Sequence, residues 1–440
     1  MAFLRANEKD FEKKLRAFVG TGEASADVSK TVAAIIDDVR ARGDIAVLYH
    51  TARLDHAKLN IRQIRVPEEH LKKAVNSLSP EKKKSITEAA KCIEDFHKRT
   101  LPKNWKAKNP HGATVGERYH AIHRCGLYIP GGQVPLVSTV LMTAIPAKVA
   151  GVPEICACTP PSADGKINSD ILAALYLCGV KEVFAIGGAQ AIAAMALGTD
   201  AVKPVDKIFG PGNAYVTEAK RQLFGRVGID LLPGPSEVMI IADRTAKPAW
   251  VGADLCAQAE HGSGKEKLYL VCDHEELAQR CLSEARTQSS TLQHGEKIRK
   301  ALDLMTCVIL VSKIEESARV ANLVAPEHLE LMVAAGKINK ISEAITTAGA
   351  ILIGHHTPTV LGDFTAGPSH TLPTGGTGRF FSGLRVPDFL RRTSLVRYDE
   401  ASLKKAASVV EAFAKMESLD AHGKSLKARC LLYTSDAADE

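Results

Sequence analysis

Apolar residues recur at two different spacings along this chain. Val28, Val32, Ile35, Ile36 and Val39 repeat every three to four positions, the spacing of one helix face, and Gly43 follows as a stop signal. The stretch 80–97 reads as a second helix with a charged outer face, so 8–105 is expected to be mainly helical. Over 113–126 the pattern alternates and predicts a short hairpin running into the turn GLYIPGG. Beyond it, short apolar runs at 154–159, 183–186, 207–209, 238–242, 267–272, 308–311 and 351–353 predict strands. Helical stretches at 138–149, 169–178, 191–197, 214–224, 249–260, 276–287 and 318–323 separate them. Short strands alternating with helices imply parallel sheets covered on both faces. There are too many strands for one modest sheet, so the fold class is α/β with two parallel-sheet domains. The expected organisation is a mainly helical 1–126, sheet domains at 127–237 and 238–375, and a helical C-terminal part at 376–429.

Composition narrows the class. The 440 residues are 45% hydrophobic and 24% charged, an ordinary balance for a globular protein. No uninterrupted apolar run approaches the ~18 residues that a membrane-spanning helix needs. The start, MAFLRANEKDFEKK, lacks the features of a signal peptide, so a cytoplasmic, membrane-free protein is expected. A formal charge of +7 raises the question of nucleic acid. Much of it lies in Lys72, Lys73, Lys82, Lys83, Lys84, Lys103, Lys106 and Lys108, which read as a solvated helical surface. With 5% aromatics and no reader motif, a nucleic-acid partner is not expected. Ten cysteines without a C-x-x-C pair read as reduced core residues. The last stretch, CLLYTSDAADE, resembles the translation of a sequencing-library adapter. Residues 430–440 are therefore expected to be a disordered, adapter-derived tail that replaces the native end.

Several local motifs carry candidate chemistry. AIGGAQAIAAMALG and IFGPGNAYV each place glycines between a strand and a helix, where free amides and the helix dipole favour a phosphate. Neither is a G-x-G-x-x-G fingerprint, and a plain tight turn explains each equally well. Gln258 and His261 lie three apart near the end of a helix and share a face, while Asp363 is expected in a Gly-rich loop and His422 near the end of an amphipathic helix. Imidazole, carboxylate and amide donors without thiolates suit zinc, although ordinary surface polarity accounts for each alone. In APEHLEL, Glu327 and His328 adjoin, and a histidine of ordinary pKa takes a proton from an alcohol at neutral pH. GPSEV places Ser236 and Glu237 at a turn before a strand.

Taken in order, GLYIPGG, STVLMTAIPAKVAGV, AIGGAQAIAAMALGT, KIFGPGNAYV, GPSEV, QAEHG, APEHL, GDFTAGPSHTLPTGG and LDAH resemble the L-histidinol dehydrogenase family across nearly all of 8–429. The resemblance implies two Rossmann-like domains and a homodimer with shared active sites. It implies oxidation of L-histidinol through L-histidinal to L-histidine with two NAD+, ending histidine biosynthesis. It also implies one Zn2+ per subunit on Gln258, His261, Asp363 and His422, with Glu327 and His328 as the acid/base pair. Tyr128, Gln190 and Asn213 match NAD+ contacts, and Ser236, His370 and Glu417 match substrate contacts. Ala257 stands where many relatives are expected to carry serine. Rival readings are a related dehydrogenase of another amino alcohol or a sulfonated diol, a zinc hydrolase, and a non-catalytic metal or nucleotide binder. GPSEV and Glu417 favour histidinol, and a hydrolase would leave the glycine turns unexplained.

Overall fold

A computed structural model describes residues 1–20, 25–131, 135–261 and 264–431. In chain order the strands are β1 (Ala2–Arg5), β2 (Trp105–Lys108), β3 (Thr114–Ala121), β4 (Arg124–Tyr128), β5 (Glu154–Thr159), β6 (Glu182–Ala185) and β7 (Lys207–Phe209). They continue with β8 (Gly228–Ile229), β9 (Glu237–Ala242), β10 (Lys267–Cys272), β11 (Thr306–Leu310), β12 (His328–Met332), β13 (Ala350–Ile353) and β14 (Leu390–Arg397). The chain separates into two compact units. The larger holds Met1–Thr100 and Ile122–Phe389, and the smaller holds Leu101–Ala121 and the described residues from Leu390 on.

The larger unit contains two parallel sheets. One has the order β6-β5-β4-β7-β8, the other β1-β11-β10-β9-β12-β13. Most residues of their strands are apolar on both faces because helices cover both faces. In β9, Val238 and Ile240 pack under helices Pro248–Ala259 and Glu275–Ser289, while Met239 and Ile241 face the opposite layer. That opposite layer includes Phe11, Leu15 and Val19 of the first helix, Phe11–Val19. Helix Ala26–Arg42 instead buries Val32, Ile35, Ile36 and Val39 against the five-stranded sheet, as its spacing predicts.

The smaller unit pairs β14 with β3 and β3 with β2, all antiparallel, and continues into helices Glu400–Met416 and Asp420–Leu431. Here several sequence expectations are corrected. The alternation at 113–126 does not make a hairpin. It belongs to two strands in different sheets, and the partners of β3 are β2 and β14. The C-terminal part is not purely helical, because LRRTSLVR is the strand β14. The N-terminal part contributes β1 to the edge of the six-stranded sheet beside β11. The last helix runs to Leu431, two residues past the predicted break, and the rest of the suspected tail lies outside the described residues, as does Gly132 of GLYIPGG.

Candidate functional site

Glu327 and His328, the candidate acid/base pair, sit at the amino edge of the six-stranded sheet. Ala325 adopts a left-handed conformation (φ 53°) and turns the chain so that Glu327 and His328 enter β12 buried. Within β12, Leu329 and Leu331 point into one core layer, whereas His328, Glu330 and Met332 point toward helix Pro248–Ala259. His328 lies between two carboxyl groups: Nδ1 is 3.7 Å from Glu327 Oε2, and Nε2 is 3.6 Å from Asp363 Oδ1. The Glu237 backbone N–H donates to Glu327 Oε2 at 2.8 Å, and the Ser236 hydroxyl bonds the same carboxyl group. The GPSEV turn therefore holds Glu327 in place.

Asp363 does not lie in a loop. It is the last residue but one of a short helix, Thr359–Phe364. His370 Nε2 is 3.2 Å from the Ser138 hydroxyl, on the helix that follows β4. His261 follows helix Pro248–Ala259, with its Nδ1 3.2 Å from the Gln258 carbonyl oxygen. It lies within electrostatic reach of both His328 and Asp363.

Burial sets the protonation states. It lowers His328 to about 3, helped by His261 and His370, and lowers His370 to about 4. It raises Glu327 well above the usual carboxylate range, with the charges of Glu237 and Asp363 adding to the effect. It lifts Asp363 to about 6 and Glu237 to about 7, the latter against the opposing pull of Lys267. The cluster thus holds neutral imidazoles beside carboxyl groups that retain their protons unusually far up the pH scale.

Among the described residues, no three His, Cys, Asp or Glu groups come together as metal donors. Of the four expected zinc donors, the larger unit carries Gln258, His261 and Asp363. One observation still fits a metal: the buried Gln258 amide has neither its oxygen nor its nitrogen hydrogen-bonded among the described residues. An amide oxygen, an imidazole and a carboxylate are a donor set that suits zinc. Glu417 and His422 lie in the smaller unit, both exposed. Glu417 caps the end of helix Glu400–Met416, and His422 is near the start of helix Asp420–Leu431, not near its end as expected.

Tyr128, Gln190 and Asn213 gather at the carboxyl edge of the five-stranded sheet. The Tyr128 hydroxyl accepts the Gly188 N–H at 3.0 Å, and Asn213 caps helix Ala214–Leu223 by accepting the N–H groups of Tyr215 and Val216 at 3.0 and 3.1 Å. Gln190 donates to Asp55 at 3.1 Å, while its own oxygen has no partner among the described residues. Asp55 is a buried acid that no motif singled out. It is lifted to about 6 by burial, against the Gly187 N–H that faces it.

A family model described as histidinol dehydrogenase matches residues 20–430. The chain belongs to the histidinol dehydrogenase family. A histidinol dehydrogenase of Rhizobium meliloti (strain 1021) is 44% identical over 429 residues, which cover 97% of this chain and 98% of that protein. Another, of Rhodopseudomonas palustris, is 43% identical over 421 residues, or 96% and 97% of the two chains. A crystal structure of histidinol dehydrogenase from Elizabethkingia anophelis superposes with a TM-score of 0.93 at 34% identity, covering 99% of each chain. Membership makes the chain an oxidoreductase acting on histidinol in histidine biosynthesis. No helix among the described residues is long and apolar enough to cross a membrane.

Proposed function

We propose that the chain oxidises L-histidinol through L-histidinal to L-histidine with zinc and two NAD+, as a cytoplasmic homodimer with shared active sites. The observation that carries this reading is the buried, neutral His328 held between Glu327 and Asp363 beside an unpaired Gln258 amide. Gln258, His261 and Asp363 would hold the metal, with His422 of a second copy as the fourth donor. Zinc, when bound, would anchor the imidazole and amine of the substrate while NAD+ takes up each hydride. Tyr128, Gln190 and Asn213 would contact NAD+, and Ser236, His370 and Glu417 the substrate.

His328 is unprotonated at neutral pH, as a base must be, because burial lowers its pKa. As it takes the proton of the alcohol, the nearby Asp363 carboxylate steadies the imidazolium. Glu327 serves the hydration of the aldehyde. Burial makes it hold its proton further up the pH scale than an ordinary carboxyl group does, and it accepts a proton from water in its ionised form. The Glu237 N–H and the Ser236 hydroxyl then stabilise the carboxylate. Helix Glu400–Met416 supports the dimer: Val409, Phe413 and Met416 follow one face at helical spacing and are exposed, Met416 by 68%.

The test is NADH formation from L-histidinol, with and without chelator, beside elemental analysis of the His261→Ala chain. The expected result is two NADH per histidinol, abolished by chelator, with zinc and activity lost together in the variant. No NADH from histidinol, or full zinc in His261→Ala, would overturn the reading of the site.

A further inference from the structure

Behind the site lies a second layer of polar groups, one step back along the same three elements. On β12, Glu330 follows His328 on the same face, about 7 Å along the strand. On helix Pro248–Ala259, Asp254 precedes Gln258 by one turn, and on helix Thr359–Phe364, Thr359 precedes Asp363 by one turn, each step about 6 Å. Both helices run back along β12 toward its amino end, so the front layer of Gln258, His328 and Asp363 is repeated by a back layer of Asp254, Glu330 and Thr359.

The back layer is bonded together. Glu330 is fully buried, and its Oε1 accepts both the Thr359 N–H and the Thr359 hydroxyl, each at 2.7 Å. The Asp254 carboxyl group faces the Glu330 carboxyl group within interaction reach, and Glu330 Oε2 has no other partner among the described residues. Two carboxyl groups in contact away from water do not both ionise. They share a proton, one donating to the other. That shared proton ties the helix bearing Gln258 to β12, and Thr359 ties the helix bearing Asp363 to the same residue. We propose that Asp254, Glu330 and Thr359 are positioning residues that pin the donors Gln258 and Asp363 at a fixed spacing over β12. The proposal rests on the reading of those two residues as zinc donors. Burial and the Glu330 charge, which raise Asp254 to about 8, agree with Asp254 as the proton donor of the pair.

The experiment compares zinc affinity, by chelator competition, with the melting temperature of the zinc-free chain. Thr359→Val removes one of the two bonds to Glu330 at nearly constant shape. Asp254→Leu removes the shared proton, and Asp254→Asn restores a donor to Glu330. Thr359→Val and Asp254→Leu are expected to bind zinc 10–100-fold more weakly, the usual effect of losing an outer partner of a metal ligand. Their zinc-free melting temperatures should fall by a few degrees at most, leaving the chain folded at the assay temperature, and Asp254→Asn should regain most of the affinity. Zinc retention equal to wild type in Thr359→Val and Asp254→Leu, or no advantage of asparagine over leucine at 254, would overturn the positioning role. A wild-type chain that takes up no zinc would instead overturn the zinc reading beneath it.

Discussion

The two parallel sheets carry their polar clusters at opposite edges, and the clusters differ in how far the chain satisfies them. At the carboxyl edge of the five-stranded sheet, Tyr128 and Asn213 are bonded to backbone N–H groups of the helices they adjoin, and Asp55 to Gln190. Gln190 Oε1 and Thr159 Oγ1, at the end of β5, are the exceptions there among the described residues. At the amino edge of the six-stranded sheet, both polar atoms of the Gln258 amide, His328 Nδ1 and Glu237 Oε2 have no hydrogen-bond partner among the described residues. Each such atom costs about 1–3 kcal/mol when it stays unpaired. Where several such atoms cluster at one place, groups from outside the chain are the natural completion of their bonds. On the proposed function, the first edge is therefore the more nearly finished scaffold, against which a cofactor would lie, and the second is a set of groups that would await ligands.

The largest effect that separates the two edges comes from His328→Asn. Asparagine keeps a polar side chain of similar reach but cannot serve as the base. The rate is expected to fall ~10²–10⁴-fold, the usual contribution of proton transfer. Zinc content and melting temperature should hold. A variant with wild-type kcat would remove His328 from the chemistry, and the contrast between the edges would lose its main support.

How much of this was legible beforehand follows the same division. Lys207–Phe209 and Lys267–Cys272 lie where the apolar pattern predicts them, since a short apolar run between turn residues has few other uses. β12 escapes that pattern because His328 and Glu330 interrupt it on the face that carries the site, so the chemistry erases the periodicity. β1 and β14 are missed because their partners, β11 and β3, come from distant parts of the chain that local pattern does not reach. Gln258, His261 and Asp363 are individually ordinary residues, identified only by the ordered family motifs. Asp254 and Glu330 lack even that, yet the signal is present: Asp254 shares a helix face with Gln258, and Glu330 alternates with His328 in HLEL. Asp55 carries no pattern at all, since only the folded chain brings it to the GGAQ turn.

At the scaffold edge the expected signature is reversed. Gly210 has φ +112°, and a Cβ there would stand 2.2 Å from the Tyr128 carbonyl oxygen. Its N–H donates to Asp230 at 2.7 Å and its oxygen accepts from Lys220 at 3.0 Å, so the backbone has little room to shift. Gly210→Ala should cost on the order of 3 kcal/mol of stability from strain and overlap together. The melting temperature is expected to drop while kcat of the folded fraction at saturating NAD+ survives. An undiminished melting temperature with a lost kcat would show that this edge does chemistry too, and would break the comparison.

The smallest effect concerns Asp55, and its sign depends on pH. Burial raises its pKa from 3.8 to about 6, so the folded chain takes up this proton before the unfolded chain does. Its contribution to stability is therefore unfavourable above about pH 6, fades as pH falls through the window, and vanishes below 3.8. Asp55→Asn removes the charge and keeps one oxygen for Gln190. After allowance for the weakened hydrogen bond, the gain at pH 8 is on the order of 1 kcal/mol, or about 2–4 °C in melting temperature. At pH 4 there should be almost none. Melts of both chains at the two pH values measure the difference directly, because every other titrating group is common to them. Equal melting temperatures at pH 8, together with a raised KM for NAD+, would show that Asp55 serves the cofactor and not the scaffold, and the carboxyl edge of the first sheet would then have to be counted among the unfinished sites.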